Sequence, residues 1–126
     1  MRKAANAMLS LVALTAAALA PFAQAASAAT VLSIGDGDTI SVLERGQKLK
    51  VRLACIDAPE TAQSPYGMAS RNQLKALQPI GSTVSLLVQA VDRYGRSVAE
   101  VTGNKGTVNL AMVQSGQAFL SCHLDA

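Results

Sequence analysis

Lys48-Leu49-Lys50-Val51-Arg52-Leu53-Ala54-Cys55-Ile56-Asp57-Ala58-Pro59-Glu60-Thr61 is the stretch on which the fold turns. Leu49, Val51, Leu53 and Cys55 alternate with Lys48, Lys50 and Arg52. A period of two places the first set on one face of a strand and the second on the other. The pattern predicts a strand over 48–56, with Arg52 turned away from the core. Pro59 ends it, because proline has no N–H to give to a ladder. Asp57 and Glu60 therefore leave the strand end in one short turn.

Working outward, Thr30 to Ile34 and Thr39 to Leu43 read as two earlier strands, joined through Gly35-Asp36-Gly37-Asp38. Glu44-Arg45-Gly46-Gln47 reads as a hairpin turn, with glycine where positive φ is needed. On the other side, a polar loop runs to Ser64-Pro65. Tyr66 to Leu77 fits a helix with Met68, Leu74 and Leu77 as core contacts, stopped by Pro79 and Gly81. Thr83 to Val91 and Arg96 to Thr102 read as strands around the turn Asp92-Arg93-Tyr94-Gly95. After a second turn, Gly103 to Gly106, come a short helix over Val108 to Gln114, Gly116, and an extended piece from Ala118 to Cys122. Five strands with a helix between the third and fourth is the layout of an OB-fold Greek-key barrel, a mainly β (α+β) class with two short helices.

The 126 residues fall into a leader and one domain. Arg2 and Lys3 precede an apolar run from Met8 to Phe22, and Ala23-Gln24-Ala25 has the small-x-small form of a cleavage site. The run is short for a bilayer span of roughly 20 residues. Residues 1–25 are therefore expected to be a secretory signal and 26–126 an exported domain, periplasmic or extracellular, with no stable membrane association. Of the eleven Lys and Arg, two lie in the leader; the other nine face eight Asp and Glu, a net +1. Bulk charge gives no argument for nucleic-acid binding, so any such case rests on where the charges sit. An exported chain meets an oxidising compartment, where Cys55 and Cys122 can pair. A buried free thiol at Cys55, on the apolar face of the strand, is the alternative. The spacing of cysteines and the lone His123 fits no zinc site.

Three motifs carry chemistry: Asp36-Gly37-Asp38-Thr39; Arg52 with Asp57-Ala58-Pro59-Glu60-Thr61; and Asp92-Arg93-Tyr94-Gly95-Arg96. Singly each is an ordinary turn. In this order, and followed by Val108-Asn109 with Met112-Val113-Gln114-Ser115-Gly116, they resemble the thermonuclease family, typified by staphylococcal nuclease. The resemblance runs from about Thr30 to Cys122. It implies a Ca²⁺-dependent nuclease that cuts DNA and RNA and leaves 3′-phosphates. It makes Asp38 and Asp57 the metal carboxylates, with the Ala58 backbone carbonyl as a further ligand where the family has threonine. It makes Glu60 the general base, Arg52 and Arg96 the phosphate-binding arginines, Tyr94 a nucleotide contact, and Asp36 a carboxylate near the metal that is not a main ligand. The loop from Ala62 to Pro65 is shorter than in the type member. Cys122 stands near a pocket-lining tyrosine of that protein. The family continues into a C-terminal helix that the tail from Leu120 to Ala126 does not supply, so a C-terminally shortened and less stable barrel is expected.

The chemistry is coherent on its own terms. Calcium takes six to eight oxygen ligands, mixing carboxylates, carbonyls and water. Two carboxylates at neighbouring strand ends would bind it weakly and leave positions for a phosphate oxygen. Arginine forks can each give two parallel hydrogen bonds to phosphate. Two other readings are a non-catalytic OB-fold module that binds nucleic acid or protein, and an inactive truncated nuclease. Against the binding module stands the low aromatic content, four residues with Phe22 in the leader. A monomer is the default.

Overall fold

The computed structural model describes residues 25–122; the leader before residue 25 and His123 lie outside them. The chain forms β1 (Ser27–Ile34), β2 (Thr39–Glu44), β3 (Gln47–Leu53), β4 (Ile56–Asp57), α1 (Tyr66–Leu77), β5 (Thr83–Val91), β6 (Ser97–Gly103), β7 (Gly106–Thr107), α2 (Val108–Gln114) and β8 (Phe119–Leu120).

β1, β2 and β3 make an antiparallel meander, β5 pairs with the free edge of β1, and β6 with β5. A parallel pairing of β3 with β6, Val51 opposite Ser97 through Leu53 opposite Ala99, closes the ring. The result is a closed five-stranded mixed barrel, as expected. Closure removes the free strand edges that an open sheet would present. Register shifts between Val31 and Ser33 and between Val88 and Ala90 mark bulges that help long strands coil.

The core follows the period of two. Val31, Ile40, Val42, Val51, Leu53, Val84, Leu86, Ala99 and Val101 point inward, and Leu74 and Met112 from the helices join the same core. The β2–β3 turn falls where the sequence put it, with Arg45 at φ +49° and Gly46 at φ +77°. Two successive positive φ values are the type I′ geometry that matches strand twist.

Two expectations fail. The strand over 48–56 is broken: β3 stops at Leu53, Ala54-Cys55 form a turn, and Cys55 takes φ +61°. The turn swings Cys55 off the apolar face into solvent, where it is bonded to Cys122. The buried free thiol is thereby excluded. Met68 is not a core contact but 45% exposed. The face of α1 that is buried carries Gly67, Ser70 and Leu74, with Leu77 partly covered. Small residues won there because two loops press against the helix, as described next.

Candidate active site

Asp38 sits at the entry to β2 and is 5% exposed. Its burial is tolerated because its oxygens are satisfied: Thr39 Oγ1 donates to Oδ1 (2.9 Å), and the Ala58 amide donates to Oδ2 (2.8 Å). The Leu53 amide donates to the Asp38 carbonyl (2.8 Å). These bonds lock the Asp36-Gly37-Asp38 loop to the turn that follows β3. Arg52 Nη1 lies 3.1 Å from Asp38 Oδ2, and Nη2 lies 3.5 Å from Asp57 Oδ1. One guanidinium thus touches both carboxylates, which are far apart in sequence but meet at this end of the barrel.

Asp36 is different. Its Oδ1 is buried with no hydrogen-bond partner. Burial, and then the hydrogen-bond contact and charge of Asp38, hold its carboxyl above the usual carboxylate range. An orphaned hard oxygen beside a buried carboxylate is the donor chemistry of a Ca²⁺- or Mg²⁺-type cation. The Ala58 carbonyl accepts no hydrogen bond among the described residues and is available as a further ligand. Among the described residues no three His, Cys, Asp or Glu side chains form a ready-made cluster. The residues therefore fit a cation held by few protein ligands, with the remainder from water or substrate.

Glu60 follows Pro59 and its side chain is exposed, with no ion pair among the described residues. Its backbone is fixed on both sides. The amide donates to Gln63 Oε1 (2.7 Å), and the carbonyl accepts from the Gln63 amide (2.8 Å). α1 lies directly over it: a Cβ at Gly67 would collide with the Glu60 carbonyl, and one at Gly37 would collide with Ser70 Oγ and crowd Ala58. Both carboxylate-bearing loops thus rest on the small residues of α1. Arg71 Nε adds a bond to the Gly35 carbonyl (3.1 Å), and Ser70 Oγ one to the Gln117 carbonyl (2.6 Å).

The turn between β5 and β6 carries Tyr94 and Arg96. Asp92 Oδ1 accepts from the Tyr94 and Arg96 amides, each at 2.9 Å, and Oδ2 accepts from Arg96 Nε at 2.6 Å. Partial desolvation works to raise the Asp92 carboxyl. The Arg96 amide and guanidinium and the Tyr94 amide together outweigh it and hold the carboxyl below its usual range. Asp92 aims Arg96 through Nε. The terminal nitrogens of Arg96 have no hydrogen-bond partner among the described residues, and its guanidinium carbon lies 5.3 Å from the Tyr94 ring centroid. Arg93 lies 4.9 Å from the same ring.

Tyr94 and Arg96 share a cleft of about 630 Å³ with Asp36 and Lys50. Arg52 and Arg96 line an adjoining cleft together. The structure therefore brings Asp36, Asp38, Asp57, Arg52 and Arg96 to one end of the barrel. It leaves the Glu60 carboxylate in solvent on a fixed backbone. Lys50 was not singled out from the sequence, although its place two residues before Arg52 on the same face was the signal. Tyr66 and Phe119, which flank Asp57 and Ala58 in a third cleft, were not singled out either. Neither carries a motif.

These features define a small OB-fold barrel with a carboxylate–arginine centre at one end. The chain belongs to the family of staphylococcal nuclease homologues, whose model matches residues 50–125. It is similar to a protein of Haemophilus influenzae described as an uncharacterized endonuclease, 43% identical over 90 residues that cover 71% of this chain and 49% of that one. A further uncharacterized endonuclease, from Escherichia coli O157:H7, is 40% identical over 91 residues (71% and 58% covered). A micrococcal nuclease of Shigella flexneri is 39% identical over 98 residues (71% and 55% covered). The chain spans about half the length of the curated relatives it matches.

Proposed function

We propose that the protein is an exported, Ca²⁺-dependent nuclease that hydrolyses phosphodiester bonds of DNA and RNA and leaves 3′-phosphates. The observation that carries this reading is the single guanidinium of Arg52 in contact with both Asp38 and Asp57. It supports the reading because carboxylates from two loops converge on one guanidinium, a group whose fork suits a phosphate. The curated relatives named as endonucleases and as a micrococcal nuclease support the same class.

Asp38, Asp57 and the Ala58 carbonyl would hold the cation. Bound there, it supplies polarisation of a phosphoryl oxygen. Arg52 and Arg96 bind the equatorial phosphate oxygens and stabilise the charge that grows on them during attack. The Asp92 carboxylate keeps Arg96 extended toward the cleft. Glu60 accepts a proton from the attacking water at its carboxylate, swinging from the solvent position on a backbone that α1 and Gln63 hold fixed. Tyr94 offers a ring to a base next to the phosphate. The apolar leader and the Cys55–Cys122 disulfide support export, since such bonds persist in oxidising compartments.

The test is cleavage of single-stranded DNA by the purified protein in Ca²⁺ and in chelator, beside Glu60→Gln. We expect cutting in Ca²⁺ alone, reduced about 10²–10⁴-fold in the variant. Equal rates in chelator would remove the metal from the mechanism, and equal rates in the variant would remove Glu60 as base.

A further inference from the structure

Tyr66, Tyr94 and Phe119 are the aromatic residues of the described chain, and they are 69%, 68% and 74% exposed. The core beneath them is built from Ala, Val, Ile, Leu and Met alone. Phenylalanine is ordinarily among the residues most often buried. A barrel that fills its interior without a ring, yet holds every ring in solvent, keeps those rings for a surface task.

Their placement says which task. Tyr94 walls the cleft that holds Asp36, Lys50 and Arg96. Tyr66 and Phe119 wall a separate cleft of about 430 Å³ whose floor is Asp57, Ala58 and Pro59. The two clefts have no lining residue in common, and both reach the carboxylate centre. We infer that the Tyr66–Phe119 cleft is a stacking subsite for a nucleobase of the substrate strand, across the scissile phosphate from the base at Tyr94. This deepens the nuclease reading and rests on it.

The chemistry of the cleft selects a base over a phosphate. No Lys or Arg lines it, and its one charged lining residue is Asp57. An anionic phosphate would be repelled there, whereas a neutral base face is not. Both rings are also held in register with the centre. β8 pairs antiparallel with β4, which sets Phe119 directly opposite Asp57. Tyr66 opens α1, whose next residue, Gly67, packs on the Glu60 carbonyl. Stacking on such rings is tolerant of sequence, because every base has a π-face. The subsite therefore adds grip on single strands without reading them.

The test is fluorescence anisotropy of a short labelled single-stranded DNA in chelator, so that binding is read without cleavage. Phe119→Ala should weaken binding about tenfold, within the range for loss of one stacked base. Phe119→Trp should bind as the wild type does, and Phe119→Leu, which keeps the apolar bulk, should not. One abasic site moved stepwise along the DNA should cost the wild type about tenfold at one position and cost Phe119→Ala nothing there. Equal binding by the Phe, Leu and Ala forms overturns the subsite, as does an abasic penalty that persists in Phe119→Ala. Product formation in Ca²⁺ is scored separately. Binding with this ring dependence but no cleavage would keep the subsite and remove the nuclease. Cleavage without ring dependence would do the reverse.

Discussion

Arg52 shows how a single side chain can link carboxylates from two separate loops. Its fork neutralises the buried Asp38 and reaches Asp57 as well. Arg52→Lys keeps the charge but loses the planar pair of donors. We expect turnover to fall about a hundredfold, the scale for removing one fixed donor to a developing oxyanion, with KM changing less. In the metal-free protein, Arg52→Gln should lower stability by roughly 1.5–3 kcal/mol, the scale of hydrogen bonds to charged groups. Added Ca²⁺ should recover part of that loss. A melting curve with and without the ion measures both effects, and a loss that Ca²⁺ leaves untouched would argue against the shared cation point. Asp36 works in the other direction. Its carboxyl is raised by burial and by Asp38. Folding therefore favours the protonated acid: the benefit is present below the unfolded pKa and is lost as pH rises through the folded one. At neutral pH the charge opposes folding, so Asp36→Asn should raise the metal-free melting temperature. The gain should vanish in acid, and cation affinity should drop. At this scale alternation was informative about Arg52, which lies off the buried face of β3 as its pattern implies. It misled at Cys55, because a positive φ resets the period and leaves no trace in an apolar run.

Helix α1 is the element that turns two loops into one site. Its buried face is small where the loops cross, at Gly67 and Ser70, and large only at Leu74. Big apolar residues at helical spacing point to Met68 and not to the positions that touch the loops, since Gly and Ser carry no hydrophobic signal. At Gly67 the added Cβ would meet backbone, which no rotamer change can relieve. Gly67→Ala should cost about 1–3 kcal/mol by overpacking and should depress turnover by shifting the Glu60 loop. Met68→Ala, on the exposed side, should stay within about 0.5 kcal/mol with unchanged turnover. Denaturant melts and steady-state rates of the two variants separate these cases; equal behaviour would deny α1 a positioning role. The β5–β6 turn is the second such element. Asp92 has a depressed carboxyl, so its contribution is present above the unfolded value near 3.8 and is lost as pH falls through the folded one. Asp92→Asn should leave stability in strong acid unchanged and lower it at neutral pH. It should also weaken phosphate binding, because Arg96 loses its anchor. Comparison of pH–stability profiles for the two forms checks the sign.

Across the whole molecule, strand order along the chain was enough to name the closed barrel, but the particular pairings that close it were not legible. The parallel β3–β6 contact and the β4–β8 pair join residues remote in sequence, and neither leaves a local pattern. The β4–β8 pair decides how firmly the site is tied to the end of the described chain. Two residues per strand give few ladder bonds, and a two-stranded sheet of that length is not stable alone. The Ser121 amide donates to the Cys55 carbonyl (2.8 Å), and the disulfide then clamps Cys55 to Cys122 across a separation of 67 residues. A covalent tie over a loop of that size restricts the unfolded chain strongly and contributes about 2–5 kcal/mol. It also holds Asp57, in β4, against Phe119, in β8. Reduction, or Cys55→Ala with Cys122→Ala, should therefore act twice: it should lower the midpoint of chemical denaturation by that free energy, and it should weaken single-strand binding even where the barrel remains folded. The second effect is the informative one. If binding survives reduction while stability falls, the disulfide is a staple for the barrel alone. If both fall together, the covalent tie also sets the geometry of the site.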